Sequence, residues 1–456
     1  MNGYLQLLQT RFRNMVLNAA GVERDFLTLL EDGDVNKALM MMKDRSEDVD
    51  EAIEEYNPQT HRVMYRRDKQ RKNDKPYEVE KLPRCRQRYI NEVELFFLLG
   101  KPVEYEKVEG DDESYALFLD FIKSQRVHSR HRLLKRLAGS ETEAALIYRL
   151  YNEDGNIGCQ SFVVARSTGY NLRTLFDQYG NLVALAYGCV IRGKDKSVRR
   201  WEILTKDIIF ECEYSSMGWR VVPRENLAGK ICAIYARQPK AWDGVQGRIE
   251  REEMIDSKAA DTNNYFADPV AFATADVVKV MGMEKDTVGK LIQYTGKDSQ
   301  FGYIAPPTDS QSRAEERSML HQSILFDSFT PDLSYDSIKG LGSLSGTAIE
   351  NSLILGFIKR ANREEIYGEL FDREVNIIKA LLAKMHPEKE KDILSLSIAV
   401  KFVTPFENRK GEEWQNVVTL YQGGVISLET AVKMLAITNA PEEEIEKIKN
   451  SKPIAE

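Results

Sequence analysis

The chain has 456 residues, 30% of them charged and 42% hydrophobic, with 64 Lys and Arg against 71 Asp and Glu and a formal charge of −7. That apolar content excludes a disordered chain, and the length suits several domains or one extended multi-part subunit. The acidic balance argues against a general basic coat for DNA, whose affinity rests on neutralising phosphates.

Cys85, Cys159, Cys189, Cys212 and Cys232 contain no CxxC pair, so they read as reduced thiols rather than a disulfide framework or zinc site. The N-terminal stretch lacks a signal-type apolar core, and no run reaches the roughly 18 apolar residues of a membrane span. These features predict a soluble protein of a reducing cytoplasm.

Phe26, Leu29 and Leu30 precede an Asp-Gly-Asp break, after which Val35, Leu39 and Met42 predict a second helix running into the acids up to Glu55. From His61 to Arg88 the sign reverses. This basic segment reads as a solvated loop, or as a patch facing nucleic acid or an acidic neighbour; it lacks the aromatics of a stacking surface. Helices are predicted over Arg88–Gly100 and Tyr115–Leu137. His128 and His131 have no supporting ligand set for a metal.

From Ala144 to Arg237 the period falls toward two. Strands are predicted over Ala144–Tyr151, Phe162–Ala165, Thr174–Asp177, Leu182–Val190, Trp201–Leu204, Ile208–Glu211 and Lys230–Tyr235, joined as antiparallel hairpins by Gly and Asn turns. A helical N-terminal part followed by this sheet makes an α+β unit. Asp243–Phe266 is a polar helix of about 33 Å with a narrow apolar stripe. A compact segment follows, with strand-like runs at Asp276–Met281, Lys290–Thr295 and Phe301–Ile304. Asp309–Ser328 is a second helix of about 30 Å. The two helices should stand antiparallel, with the compact segment at their far end. Loop-like residues 330–346 lead into a long helical pattern, Thr347–Met385. Ile393–Thr404 alternates as a half-buried strand, and short helices follow Pro405.

No P-loop, GxSxG, GxGxxG or HExxH motif is present, so the sequence predicts no enzyme, no metal and no cofactor.

The order of parts (α+β body, polar helix, small head, polar helix, glycine-rich loop, very long helix, returning strand, helical C-terminus) carries more than any short motif. Quoted from the chain, the features are Asn171–Asp177 with Leu182–Ala186, Asn226–Ile231 leading to Ile249–Pro269, Thr330-Pro331-Asp332 with Leu344–Ala348, and Tyr421–Ala431. Together they resemble the siphovirus-type portal protein of tailed bacteriophages, from about Ala144 to the C-terminus.

That resemblance implies a portal fold: wing 1–242, stem helices 243–266 and 309–329, clip 267–308, tunnel loop 330–346, long wing helix with returning strand 347–405, and crown 406–456. It implies a homo-oligomeric ring, usually of twelve subunits, at one capsid vertex of the virion, assembled in the host cytoplasm. Double-stranded DNA would pass through it during packaging, retention and ejection. Its partners would be terminase, then head-tail adaptors, and the major capsid protein or scaffold, with no membrane. A DNA-processing phage enzyme and a monomeric structural adaptor are the alternatives. Candidate DNA-facing residues are Lys339, Gly340, Leu341, Gly342, Ser343 and Leu344 in the loop, where Lys339 is the only base. Glu250, Glu253 and Asp256 are candidates to line the channel, where carboxylates repel phosphates over about 8 Å at physiological salt.

Overall fold

A computed structural model describes residues 25–68, 78–153, 156–192, 197–267, 271–273, 279–281, 291–293, 301–303, 310–335, 337, 339, 353–405, 410–435 and 441–450. Asp25 caps helix α1 (Phe26–Glu31) by accepting from the Thr28 N–H at 2.9 Å, and α2 (Val35–Met41) follows the tight turn at Gly33. The predicted continuation to Glu55 is interrupted. A two-residue strand, β1 (Lys43–Asp44), pairs with Arg173 and Thr174, and Asp44 then accepts from the Ser46 N–H to open α3 (Ser46–Tyr56).

Helix α4 (Arg86–Leu99) ends at Gly100, one strand, β2 (Glu104–Glu109), follows, and Asp111 caps α5 (Asp112–Ser124). The single helix predicted over Tyr115–Leu137 is two: Arg126 adopts a left-handed φ of 51° and α6 (Val127–Glu141) starts in a new direction. The strands are β3 (Glu143–Glu153), β4 (Asn156–Val164), β5 (Asn171–Phe176), β6 (Leu182–Arg192), β7 (Ser197–Thr205), β8 (Ile208–Ser215), β9 (Gly218–Glu225) and β10 (Ala233–Arg237). They form an antiparallel six-stranded sheet, β1-β5-β6-β7-β8-β9, and a three-stranded sheet, β10-β3-β4.

Period-two alternation turns these sheets into layers. In β6, Ala184 and Ala186 meet α1 and α2, whereas Leu185 and Tyr187 point to the second sheet. In β3, Ala145 and Ile147 return that contact, whereas Ala144, Leu146 and Tyr148 face the helical core of Leu98, Phe118, Leu134, Phe371 and Leu381. The order is two helices, sheet, sheet, helices.

Helix α7 (Gln246–Ala267) leaves this body behind Trp242, which is fully buried, lies 5.5 Å from the Tyr56 ring and donates its indole N–H to Glu55 at 2.8 Å. Four short strands follow: β11 (Ala271–Ala273), β12 (Lys279–Met281), β13 (Leu291–Gln293) and β14 (Phe301–Tyr303). They pair β11 with β14 and β12 with β13. Helix α8 (Ser310–Asp327) returns antiparallel to α7, with Arg251 on Glu316 at 2.8 Å and Arg248 on Asp327. This is the hairpin predicted from helix lengths.

The long helix, α9, spans Ile354–Met385; the predicted residues 347–352 lie outside the described part. The strand predicted over Ile393–Thr404 begins late, because Ile393 drops into the core from a short helix, α10 (Glu390–Ser395), while Leu394 stays exposed. Strand β15 (Ser397–Lys401) then pairs with β2. Helices α11 (Lys410–Gln422), α12 (Leu428–Leu435) and α13 (Pro441–Asn450) finish the chain.

Two glycines of α9 behave oppositely. A Cβ on Gly368 would meet nothing within 4 Å, so Gly368→Ala should gain up to about 1 kcal/mol from helix propensity. A Cβ on Gly356 would lie 2.4 Å from the buried Phe97 ring. Gly356→Ala should therefore lose about 1–3 kcal/mol through overpacking, despite the better propensity. Chemical unfolding of the two variants checks the opposite signs.

Candidate functional site

Glu253, Ser257 and Asp261 are four apart on α7 and form one stripe with about 6 Å between neighbours. Residues 78–85 run beside it in reverse. Glu80 donates its N–H to Asp261 at 2.7 Å, Leu82 to Ser257 at 3.0 Å and Arg84 to Glu253 at 2.8 Å. Alternate residues of an extended chain are about 6.6 Å apart, close to the helical step, so three successive bonds stay in register. All three acceptor side chains are buried.

Charge reinforces this strap. Arg84 reaches Asp256 at 2.6 Å, Arg86 holds Glu252 with two bonds at 2.7 and 3.0 Å, and Arg66 holds Asp261 at 2.6 Å. Burial raises the Glu252 pKa, but the Arg86 guanidinium outweighs it and leaves the carboxyl below its ordinary value. His61 Nδ1 lies 2.6 Å from Glu253, and its Nε2 lies 2.7 Å from the Glu55 carbonyl. Burial opposes a charge on His61, yet the Glu253 carboxylate prevails and raises its pKa above the usual histidine value.

The acidic neighbour of the basic segment is thus the chain's own helix. Of the acids named for a channel, Glu253 is fully buried under the strap. Asp256 is held by Arg84 and lies 3.6 Å from Arg317. Glu250 keeps a side chain 31% exposed, 3.7 Å from Arg62. Glu252, Ser257 and Asp261 were not singled out from sequence, although the four-residue spacing of Glu253, Ser257 and Asp261 opposite an arginine-rich segment was a usable signal.

The loop after α8 has a fixed root. The Tyr89 hydroxyl donates to the Pro331 carbonyl at 2.7 Å and accepts from the Leu333 N–H at 2.8 Å. Asp332 accepts from the Ser334 N–H at 2.9 Å and the Ser337 hydroxyl at 3.0 Å. Lys339 is exposed; Gly340, Leu341, Gly342, Ser343 and Leu344 lie outside the described residues.

A buried ionic hub joins this root to the body. Glu94, wholly inaccessible, has Lys135 at 2.6 Å, Arg363 at 3.0 Å and Lys359 at 3.3 Å. Lys359 also donates to the Ala241 carbonyl at 2.9 Å, ahead of α7, and to Thr330 Oγ1 at 3.5 Å, behind α8. One side chain of the long helix therefore touches both roots of the hairpin. Burial, against the pull of Glu94, lowers the Lys359 pKa to about 8.

His131 is 2.6 Å from Glu374 and stacks on Phe371. Among the described residues no His, Cys, Asp and Glu cluster is placed to hold a metal, and no helix is long and apolar enough to cross a membrane. Burial pushes the thiols of Cys159, Cys212 and Cys232 up to about 12, which leaves them unreactive.

A family model described as phage portal protein, SPP1 Gp6-like, matches residues 41–453. No curated protein matches the chain.

Proposed function

The chain belongs to the SPP1 Gp6-like family of phage portal proteins, and from that premise we propose how its parts divide the work. Membership makes it a structural component of the virion capsid that acts in DNA packaging as an oligomeric ring, in a family that is not enzymatic. Beyond this, the reading is a ring of twelve subunits, assembled in the host cytoplasm. It passes double-stranded DNA and docks terminase, then head-tail adaptors.

In this reading the layered body, long helix and β15 are the wing (1–242 and 347–405). The hairpin is the stem (243–266 and 309–329), 267–308 the clip, 330–346 the tunnel loop and 406–456 the crown. The observation that carries it is the polar hairpin fixed at both roots by Lys359, with a loop of anchored root beside it. A channel needs such a rigid frame around a part that touches the DNA. The three stem acids support a channel role least, since Glu253 and Asp256 are engaged by the strap and Glu250 faces His61 and Arg62 of the same basic segment.

Lys339 supplies the loop's positive charge toward phosphate. Lys339→Glu is expected to leave rings intact by electron microscopy while lowering packaged DNA per particle about tenfold or more. Wild-type packaging by that variant removes the loop from the mechanism.

A further inference from the structure

We infer that the outer face of α8 in one copy seats in the groove that the strap builds against α7 in the next copy. The inference deepens the ring reading above and rests on it. A ring closes through a heterologous interface, so each subunit must carry two different complementary faces. The hairpin has such a pair.

The giving face is the bare side of α8. Glu315, Met319, Gln322 and Phe326 recur at spacings of four, three and four, which places them on one side of the helix. Met319 is 70% exposed and Phe326 65%. The Glu315 carboxylate accepts from the Gln311 side chain at 3.0 Å and faces no cation among the described residues of its own chain.

The receiving face is a groove of about 670 Å³ between the strap, α7 and α8. Leu82, Pro83, Tyr89 and Ala259 supply apolar wall, while Arg84 and Arg317 flank the single carboxylate of Asp256 and leave the rim net basic. The Arg317 side chain is 55% exposed and its Asp256 contact is long, at 3.6 Å, so it has capacity for another carboxylate.

The two faces lie on opposite sides of the hairpin. Arg317 is two residues from both Glu315 and Met319, about 200° around α8. They also lie at one height. Within the chain, Arg251 meets Glu316 and Asp256 lies by Arg317, which sets the antiparallel register. The strap places Arg84 on Glu253 and Asp256, and Arg86 on Glu252. Cys85 between them is therefore level with the Glu315–Met319 turn. Rotation about an axis parallel to the hairpin carries that turn onto the neighbour's groove, Glu315 toward the basic rim and Met319 toward the apolar wall.

The exposed Cys85 provides the test. In the full chain, Met319→Cys with mild oxidation should give a ladder of cross-linked subunits on denaturing gels, and Cys85→Ser in the same chain should abolish it. Rings visible by electron microscopy without a ladder, or a ladder that survives Cys85→Ser, overturn the inference and leave the ring reading intact. Wild-type chain that forms no ring under any assembly condition overturns both. A second test needs no disulfide. Glu315→Arg should lower ring yield about tenfold, and Arg317→Glu added to it should restore the yield, since charge complementarity is exchanged rather than lost. Wild-type yield from Glu315→Arg alone, or no recovery in the double variant, counts against the contact.

Discussion

Glu94→Ala should lower the unfolding free energy by about 3–5 kcal/mol, because it strands buried cations. Lys135, Lys359 and Arg363 converge on this one carboxylate, and Gln238 adds a hydrogen bond at 3.1 Å. Removing Lys359 is different. Lys359→Met leaves Glu94 with Lys135 and Arg363, and its methylenes can still fill the site, so a loss of about 1–2 kcal/mol is expected. The pH dependence separates the roles. Lys359 has a folded pKa of about 8 against the ordinary lysine value of 10.5, so between these values the unfolded chain binds more protons. Its contribution to stability therefore rises with pH across that window, and Lys359→Met should flatten the rise. Urea midpoints of the three proteins at pH 7 and pH 9 check both statements. A Glu94→Ala midpoint equal to wild type would falsify the hub as a source of stability.

The hub also shows where sequence stops being legible. Glu94 sits in a run of apolar residues on α4, and Lys359 and Arg363 interrupt the apolar face of α9. Read singly, charges at such positions are solvent-facing; only the tertiary fold brings four of them together. The hairpin was legible for the opposite reason, since two polar helices of matched length around a short module fix an antiparallel return by chain geometry alone. The break at Arg126 carried no Gly or Pro to announce it. Strand β2, written Glu-Tyr-Glu-Lys-Val-Glu, is too polar to stand out, and it exists because β15, far along the chain, supplies its partner. The glycine-rich loop was legible as a candidate site through composition, and of its candidate residues only Lys339 lies among the described residues. The acids of α7 were legible as charges, whereas their engagement by the strap depended on a register between 78–85 and α7 that pattern alone does not supply.

That register leads to the second large effect. Glu253→Ala removes the carboxylate shared by His61 and the Arg84 N–H, leaving a buried imidazole N–H and a backbone donor unmatched. The local cost should be about 3–5 kcal/mol, against less for Glu253→Gln, whose amide oxygen can still accept. Because the strap is held bond by bond along α7, the loss should appear as strap release before global unfolding. Tryptic cleavage after Arg84 reports this directly, since that bond lies within the ladder. The groups facing His61 are Glu253, Glu250 and the Glu55 carbonyl, all favouring its charged form. With a folded pKa above 6.5, His61 contributes its full stabilisation below pH 6.5 and loses it as pH rises through the folded value. Cleavage after Arg84, corrected for trypsin's own pH profile on an unfolded substrate, should therefore be slow at pH 6 and accelerate toward pH 9 in wild type. In His61→Gln the corrected rate should be faster at pH 6 and nearly level with pH. If wild type and His61→Gln show the same corrected profile, the histidine is not what closes the strap, and the backbone ladder alone must hold it.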